Sequence, residues 1–422
     1  MFQLIEIFLN SLSKKFYVID VISIVYLLTT IHLSAYAFYH IITFWASTLK
    51  TSADKIETTD KEPKIAVIVP VYNDRSILRS IGSFLSLDYG NYIVVVVDDS
   101  DDEFIVEKLG ELSDEKLHIL RREGRIGFKA GALNHAIGFI KSKNINPDYV
   151  VIFDADFEVP KNFLKDAVKI LEGNNRIDVL QGYQRHVRGS NTLVGSIYRC
   201  AQAGAILNLI GRTNLDLFPI FYGSCAVFRA KVLELQKFCE DSITEDFRWT
   251  AEAFLKKEDL KIVATSRIYA NGSVPKSLKD IFFQQIRWSA GTVRDFIETL
   301  LPILKSGIPL RKKIDFVFQG MYFTQGVSVY VGTVCFLIAS ISDLNLSSAY
   351  PYLGMYLWLI GVETLLAAGA VMERYNVRKF LSLFPVMFFM IYFTGLAHVY
   401  GTIKGFVSAI TKNKQSWKVT GK

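Results

Sequence analysis

Cysteine is scarce in this chain of 422 residues, and its four copies lie far apart: Cys200, Cys225, Cys239 and Cys335. No two of them form a CxxC pair, so the sequence predicts neither a disulfide framework nor a zinc site. Clusters of basic residues interleaved with aromatics are also lacking, although the net charge is +7. A nucleic-acid-binding protein is therefore not indicated. Lysines and arginines that flank membrane helices explain the positive charge more simply.

Long apolar segments are the main feature that the sequence does have. Half of the residues are hydrophobic and the mean hydropathy is +0.26, which is too apolar for a soluble protein of this charge content. Four segments reach the length of about 20 residues that a bilayer requires: Val21–Ala46, Phe316–Ser340, Tyr352–Met372 and Phe380–Tyr400. The first is too long for a signal-peptide core and lacks a small-residue cleavage site, so we interpret it as a permanent anchor.

The whole chain is expected to divide into seven parts. These are an amino-terminal segment (1–17), a transmembrane helix (18–47), a linker (48–63), an α/β domain (64–275), an interfacial helix region (276–314), three transmembrane helices (315–410) and a basic tail (411–422).

Apolar runs alternate with helical stretches at the start of the α/β domain. The runs KIAVIVPV (64–71), YIVVVV (92–97), LHIL (117–120) and YVVIF (149–153) are typical of buried strands. Their alternation with helices predicts a doubly wound, mostly parallel, Rossmann-like sheet. Two further runs, 179–184 and 219–229, interrupt the alternation and are predicted to extend the sheet.

Pairs of acidic residues follow two of these strands directly. Asp98 and Asp99 follow the second strand, and Asp154 and Asp156 follow the fourth. Because open α/β sheets bind ligands at the carboxyl ends of their strands, these carboxylates are expected to face one cleft. Carboxylates so close repel each other unless a cation lies between them, and a divalent metal with a phosphate-bearing substrate meets that need. The alternative is that these aspartates only form ordinary polar turns at the ends of the strands.

Two helix starts can be recognised after the sheet. Thr244 is placed as an N-cap, which puts Glu245 and Asp246 in the first turn, where the helix dipole favours ionised carboxylates. Ser277 and Asp280 form a capping-box pattern before a longer amphipathic helix. That second helix is predicted either to lie on the bilayer or to pack on the α/β domain, since its periodicity is compatible with both.

Seven short motifs resemble those of the family 2 inverting glycosyltransferases, in particular the membrane synthases of the cellulose, chitin and hyaluronan type. They are VPVYND (69–74), VVVVDDSDD (94–102), GFKAGALN (127–134), DAD (154–156), FYGSCAVFRAKVL (221–233), TED (244–246) and QQIRW (284–288). Each motif alone is weak, but seven in the family's order make a chance match improbable. The resemblance implies a GT-A fold for residues 64–275 and transfer of a sugar from a UDP-sugar.

The resemblance assigns the nucleotide site to residues at the strand ends. Tyr72 would stack on the uracil, and Asp98 and Asp99 would hold the nucleoside. Lys129 would contact the uracil or the diphosphate. The alternatives are a packed aromatic for Tyr72, turn caps for the aspartates and a solvated lysine for Lys129.

The resemblance also implies the reacting groups. Asp154 and Asp156 would face the nucleotide and a Mg²⁺ or Mn²⁺ ion, with Asp156 the better direct ligand. Arg287 would offer its planar fork to the pyrophosphate. Asp246 takes the general-base position: it would remove the proton of an acceptor hydroxyl while UDP is displaced, inverting an α-linked donor to a β-linked product. The alternative for Asp246 is an acid that only complements the helix dipole.

The acceptor site is implied to lie beside this base. Gly223 and Ser224 would border it, and Glu245 and Gln284 would contact the acceptor. Trp288 would offer a flat apolar face to the acceptor sugar. A tryptophan that anchors the helix at the membrane interface is the alternative.

Three functions remain open from the sequence. The first is a synthase of a β-linked polysaccharide that works as an oligomer or with a channel partner, because chain-extruding relatives generally have more membrane helices. The second is a glycolipid synthase that adds one or a few sugars to a lipid acceptor. The third is a non-catalytic membrane binding protein, which intact Asp156, Asp246 and Arg287 make less favourable.

Charged residues predict the orientation of the chain in a cell membrane. Nucleotide sugars are cytosolic, so the resemblance places residues 65–300 in the cytoplasm and the loop Ser342–Pro351 outside. That loop has no Lys or Arg, whereas Glu373–Lys379 has three, as the positive-inside rule requires. The tail breaks the rule if all four segments cross, because four lysines would then lie outside: Lys412, Lys414, Lys418 and Lys422.

Overall fold

The structure is a computed structural model that describes residues 2–51, 53, 61–189, 191–341 and 350–412. Half of the predicted linker (residues 52 and 54–60), residues 342–349 of the predicted outer loop and the tail beyond Lys412 lie outside these ranges.

A mostly parallel sheet forms the centre of the α/β domain, as predicted, and it has seven strands. Its strands are β1 (Ile65–Val71), β2 (Tyr92–Asp98), β3 (Leu117–Arg121), β4 (Tyr149–Ile152), β5 (Val179–Arg188), β6 (Ala226–Arg229) and β7 (Ile262–Ser273). Their spatial order is β3-β2-β1-β4-β6-β5-β7, and within the described sheet β6 alone runs antiparallel to its neighbours. The strands β1, β2 and β4 are largely buried, which explains why each reads as a continuous apolar run.

Two strand predictions need correction. The predicted strand 219–229 is shorter, because β6 begins at Ala226 and the residues before it form a loop. Gly223 and Cys225 in this loop have φ angles of +78° and +57°, which an extended strand does not permit. The strand β7 was not predicted, because exposed Ser266 and Arg267 interrupt its apolar pattern.

Helices cover both faces of the sheet. They are α2 (Ile77–Leu85), α3 (Glu103–Gly110), α4 (Phe128–Ser142), α5 (Phe163–Gly173), α6 (Leu193–Asn214), α7 (Ala230–Leu233), α8 (Glu245–Lys256) and α9 (Leu278–Lys305). Alternate strand residues point to opposite faces, so Val67 and Ile68 of β1 belong to two separate apolar clusters. Burial on both faces holds the strands in register and places their carboxyl ends along one edge.

Further helices form a bundle beside the domain. They are α1 (Phe2–Ser47), α10 (Leu310–Gly320), α11 (Thr324–Ile341), α12 (Tyr350–Met372) and α13 (Val377–Thr411). By length and composition, the described candidates for membrane spans are Val21–Ser47, Leu193–Asn214, Met355–Met372 and Val377–Thr411. The helix α1 begins at Phe2, earlier than the predicted start at residue 18.

The predicted span Phe316–Ser340 is not one straight helix. The helices α10 and α11 meet at a bend of 61°, with residues 321–323 between them. Those residues are Met321, Tyr322 and Phe323, all apolar or aromatic, so hydropathy gave no sign of the break. The bend is close to α9, because a Cβ on Gly320 would overlap the ring of Phe296.

The helix α6 is apolar enough to span a bilayer, and the sequence analysis overlooked it. It connects β5 to β6, which pair directly, so both of its ends stay at the α/β domain. A Cβ on Gly204 would lie only 2.8 Å from the Leu365 carbonyl oxygen of α12. Asn208 Nδ2 donates to Thr43 Oγ1 of α1 at 2.8 Å. The helix α6 therefore joins the domain to the bundle.

The helix α13 runs beside α9 in the same direction. The rings of Phe393 and Phe282 lie 5.4 Å apart, and further along both helices a Cβ on Gly405 would lie 2.5 Å from the Ala290 carbonyl oxygen. The helix α9 in turn packs on α8, so of its two predicted placements, packing on the domain is observed. Both ends of α13 consequently lie near the α/β domain, because Glu373, just before it, contacts β5.

Glu373 itself links the bundle to the sheet. Its carboxylate accepts hydrogen bonds from the Tyr183 hydroxyl at 2.6 Å and from Arg185 Nε at 3.1 Å, and it pairs with Arg199 of α6. The side chain is 1% exposed. A carboxylate buried so deeply is stable only when such partners are present.

Candidate active site

A large cavity opens at the carboxyl ends of β1, β2 and β4 and continues between the helices of the bundle. Its volume is about 1500 Å³, above the roughly 300–1,000 Å³ that is usual for small-molecule sites. Most of the site residues expected from the sequence line this cavity: Tyr72, Asp99, Lys129, Asp154, Asp156, Gly223, Glu245, Asp246, Gln284, Arg287 and Trp288.

Asp98 and Ser224 lie behind the cavity wall, contrary to prediction. Asp98 is 1% exposed, and its carboxylate accepts hydrogen bonds from Arg121 Nη1 and the Ser100 backbone N–H, both at 2.9 Å. Ser224 Oγ accepts from the backbone N–H of Asp154 at 2.9 Å. Both residues therefore support neighbouring groups, because their polar atoms are already used inside the protein.

The residues expected to bind the nucleoside are engaged by arginines of the loop before α4. The guanidinium of Arg125 lies over the ring of Tyr72, 3.5 Å from its centroid, and the Tyr72 hydroxyl donates to Asp101 at 2.9 Å. Asp99 accepts two hydrogen bonds from Arg122, at 2.7 and 2.5 Å. The sequence analysis missed both arginines, because only the fold brings their loop to β1 and β2.

Lys129 joins the DAD and TED motifs. Its Nζ donates to Asp154 Oδ1 at 2.6 Å and to the Gly223 carbonyl oxygen at 2.9 Å, and it lies 3.3 Å from Glu245 Oε1. Burial alone would lower the pKa of Lys129, but the charges of Asp154 and Glu245 raise it well above its usual value. The side chain is 15% exposed, so a freely solvated lysine is excluded and a permanent cation stands in the cavity wall.

Asp246 lies in the first turn of α8 with its carboxylate toward Gly223. A Cβ at Gly223 would lie 3.1 Å from Asp246 Oδ2, and only the glycine leaves this space open. Removal from bulk water and the charge of Glu245 raise the pKa of Asp246 to about 7. Lys129 and Arg287 act in the opposite direction without cancelling that effect. A carboxyl of this pKa can accept a proton near neutral pH.

Asp295 of α9 fixes the start of α8. Its Oδ2 accepts hydrogen bonds from Ser242 Oγ at 2.6 Å and from Thr244 Oγ1 at 2.7 Å. Burial raises the pKa of Asp295 to about 7, although these two bonds lower it. Thr244 is at the N-cap position as predicted, but its side chain makes no capping bond because its hydroxyl points to Asp295. The sequence offered no signal for Asp295, which lies in another helix.

The helix α9 brings the QQIRW motif to the cavity. Ser277 caps its first turn as expected, and its Oγ accepts from the Asp280 backbone N–H. Gln284 Oε1 accepts from the Tyr198 hydroxyl at 3.0 Å. Arg287 and Trp288 are half-buried, and both line the cavity wall beside the TED motif.

Asp154 and Asp156 are the carboxylates that could hold a metal ion. Asp154 has a side chain that is 30% exposed, whereas Asp156 is fully buried with its Oδ2 fixed by the Ser273 backbone N–H at 3.1 Å. In the described parts of the chain, no group of three or more His, Cys, Asp or Glu side chains is arranged for a metal. An ion at these two carboxylates would therefore take further oxygen ligands from a substrate.

Comparison with known proteins identifies relatives of the α/β domain. Residues 66–235 match the family model for glycosyl transferase family 2. The probable glucomannan 4-beta-mannosyltransferase 14 of Arabidopsis thaliana is 27% identical over 307 residues, which are 69% of this chain and 56% of the relative. Glucomannan 4-beta-mannosyltransferase 2 of the same plant is 26% identical, over 65% of this chain and 53% of its own. The chain thus spans about half the length of these curated relatives.

A solved structure shares the fold. It is the mannosyltransferase PcManGT from Pyrobaculum calidifontis in complex with GDP-Man and Mn2+, with a TM-score of 0.59 and 19% identity. The alignment covers 90% of this chain and 99% of PcManGT, so it includes apolar helices as well as the sheet. Residues 66–235 of this chain match glycosyl transferase family 2 and lie within a GT-A fold, and five of the seven motifs fall inside the matched residues.

Proposed function

We propose that this chain is a membrane-bound glycosyltransferase that moves a sugar from a nucleotide donor to a hydroxyl group of a glycan and forms a β-glycosidic bond. One observation carries the proposal: the Asp246 carboxylate and the Lys129–Asp154 pair meet across Gly223 in one cavity. A proton acceptor and a cation suited to phosphate therefore line the same space.

Asp246 would act as the general base. It would take the proton of the acceptor hydroxyl while that oxygen bonds to the anomeric carbon. The bond from this carbon to the diphosphate breaks in the same step, and its electron pair leaves with the nucleoside diphosphate, so the configuration inverts. Lys129 and Arg287 would stabilise the negative charge that collects on the leaving diphosphate.

Asp154 and Asp156 would hold a divalent cation. Their carboxylates fit Mg²⁺ or Mn²⁺, since both ions prefer oxygen ligands, and when bound the ion would neutralise charge on the diphosphate. Asp156 would be the better ordered ligand, because the Ser273 backbone N–H orients its carboxylate. Asp154 also accepts a hydrogen bond from Lys129. The Mn2+ in the PcManGT complex supports this assignment.

Mannose is the sugar that we propose for the donor. The two plant relatives are mannosyltransferases by name, and PcManGT was solved with GDP-Man. The motifs alone suggested a UDP-sugar, and the comparisons favour GDP-mannose instead. Tyr72 is compatible with either nucleotide, because uracil and guanine both offer a flat face for stacking.

Three helices would cross the membrane, namely α1, α11 and α12, and α13 would lie along its cytoplasmic surface. The position of α13 beside α9, with both ends near the domain, supports this arrangement. It replaces the four-span prediction and removes its conflict, because Lys412 then lies on the same side as Glu373–Lys379. The α/β domain would be cytoplasmic, where nucleotide sugars are made.

A lipid acceptor is the second candidate. Several residues that line the bundle end of the cavity are apolar, and acyl or prenyl chains would fit against them: Val362, Leu365, Leu366, Met387, Met390 and Ile391. Both candidates use the same base and donor site, so they differ only in the molecule that carries the hydroxyl.

Release of nucleoside diphosphate from purified full-length protein tests the proposal. GDP-mannose, UDP-glucose and UDP-GlcNAc are each supplied with a β-linked oligomannoside or with a membrane lipid extract. We expect GDP release from GDP-mannose, loss of that release in Asp246→Asn, and a longer oligosaccharide by mass spectrometry. Binding of nucleotides without turnover of any donor would contradict catalysis and favour a non-catalytic binding protein.

A further inference from the structure

The cavity has a second polar region inside the helix bundle. His40 of α1, Gln325 of α11 and Trp358 of α12 meet there, and all three line the cavity. Gln325 Oε1 accepts a hydrogen bond from Trp358 Nε1 at 2.7 Å and lies 3.2 Å from His40 Nε2. We call these three residues the bundle site. Polar groups between membrane helices are costly, and they are retained where a ligand or a pathway needs them.

His40 retains unused hydrogen-bonding capacity. Its Nδ1 is buried and has no hydrogen-bond partner among the described residues, and the residue is 2% exposed. His32, on the same helix, gives a direct contrast, because its ring nitrogens lie 2.9 Å from Ser328 Oγ and 3.2 Å from Thr324 Oγ1. His32 is not part of the cavity wall. An unpaired buried nitrogen is unfavourable, and because His40 is part of the cavity wall, a ligand bound beside it would supply the missing partner.

A row of rings and amides connects the bundle site to the helix α9. Starting from Gln285 in the QQIRW motif, the contacts pass through His398 (2.9 Å), Phe323 (ring centroids 4.9 Å), Tyr322 (5.3 Å) and His40 (6.2 Å). All of these residues line the cavity. Tyr322 and Phe323 stand at the 61° bend between α10 and α11, so the bend is what presents both rings to the cavity.

Flat rings beside amide and imidazole groups suit one class of ligand. A pyranose stacks its apolar face on an aromatic ring and pairs its hydroxyls with side-chain amides and imidazoles. The cavity of about 1500 Å³ also exceeds the size usual for one small ligand. The amide and imidazole groups favour sugars over a purely apolar chain at the bundle site, and the volume leaves room for more than one sugar unit.

We propose that the bundle site binds a sugar unit of an oligosaccharide acceptor, remote from the hydroxyl that is glycosylated, with His40 Nδ1 paired to a sugar hydroxyl. The proposal rests on the proposed function and adds a requirement to it. Three side chains separate Gln285 of the QQIRW motif from His40 along the row of contacts, so the proposal requires an acceptor of several sugars. A free oligosaccharide and the glycan of a glycolipid offer the same chemistry, and the test below separates them.

A chain-length series of acceptors tests the bundle site. GDP-mannose turnover is measured with β-linked oligomannosides of two to six sugars, free and lipid-linked, and kcat/KM is compared between the longest and the shortest. In the wild type we expect kcat/KM to rise with length. His40→Ala should reduce that advantage by about 3- to 10-fold, the range of one net hydrogen bond. His32→Ala, the matched control, should keep the advantage.

The possible outcomes distinguish sugar binding at the bundle site from the proposed glycosyl transfer itself. Equal losses on short and long acceptors, or the same loss in His32→Ala, would overturn the bundle site as a sugar site. A wild type whose kcat/KM is independent of length in both series overturns it as well, while leaving glycosyl transfer intact. No turnover of any donor means instead that the proposed function has failed. If His40→Ala does not bind GDP, and so has not folded, His40→Asn provides the same comparison with less loss of packing.

Discussion

The raised pKa of Asp246 makes the pH profile a sensitive test of its role. Only the ionised carboxylate can accept the proton of the acceptor, and the pKa of about 7 is due first to burial and then to Glu245. The ionised fraction of such a group rises from about one-tenth at pH 6 to about nine-tenths at pH 8. We therefore expect kcat/KM to rise about tenfold over this interval, with the loss on the acidic side. An aspartate of ordinary pKa would give a flat profile there.

Asp246→Asn keeps the shape of the side chain and removes its basicity. Turnover should fall by about 10²- to 10⁴-fold, the usual contribution of a general base, and the residual rate should lose its dependence on pH. Steady-state rates of GDP release between pH 5.5 and 8.5 measure both effects, and GDP affinity measured in parallel shows whether the donor site is intact.

Asp295 supplies the matched control, because its pKa is also raised to about 7 while it is not part of the cavity wall. Asp295→Asn should keep the midpoint near pH 7. If the midpoint disappears in Asp295→Asn and persists in Asp246→Asn, the titrating group is structural and the assignment of the base is wrong.

Four further substitutions test the metal site, the diphosphate site, the loop beside the base and the membrane arrangement. Asp156→Asn should lose most activity, and so should the wild type in excess chelator, because the charge of the diphosphate is then poorly neutralised. Full activity in excess chelator would contradict the metal assignment. Arg287→Lys should weaken GDP binding together with the rate, since the planar fork is lost, and titration calorimetry that finds unchanged affinity would refute this. Gly223→Ala should lower turnover and also Tm, because its φ is +78° and the new Cβ crowds the base; normal kinetics would show that the loop can adjust. Lys412→Cys should resist a membrane-impermeant thiol reagent that labels Asn345→Cys in intact cells, and labelling of both would place the end of α13 outside.

The sequence was most informative where chemistry and local structure coincide. The strands β1, β2 and β4 are continuous apolar runs, and of the residues that follow them Tyr72, Asp99, Asp154 and Asp156 line one cavity, whereas Asp98 lies behind its wall. The motif resemblance assigned Lys129, Asp246 and Arg287 to one site although they lie far apart in the chain, and all three line the same cavity. Contacts that depend on tertiary packing were not accessible: nothing local links Arg125 to Tyr72.

Hydropathy was least informative about apolar helices that pack along other parts of the protein. The helix α6 is apolar because it is packed between the domain and the bundle, and α13 is apolar although it follows α9. The bend at Tyr322 and Phe323 falls inside an uninterrupted apolar segment. Hydropathy averaged along the sequence is high in all three cases. The direction in which each helix runs depends instead on the helices and strands that it packs against.

The contacts of Glu373 also bear on where the chain can be truncated without loss of stability in the α/β domain. Cutting the chain after α9 would remove the bundle, but it would also delete the carboxylate that neutralises Arg185 and Arg199. The side chains of Arg185 and Arg199 are 33% and 15% exposed in the intact protein, and without Glu373 their two positive charges would lose the carboxylate that neutralises them. Efforts to engineer or transplant this glycosyltransferase domain therefore have to carry the helices up to Glu373 along with it, or replace both arginines with neutral side chains.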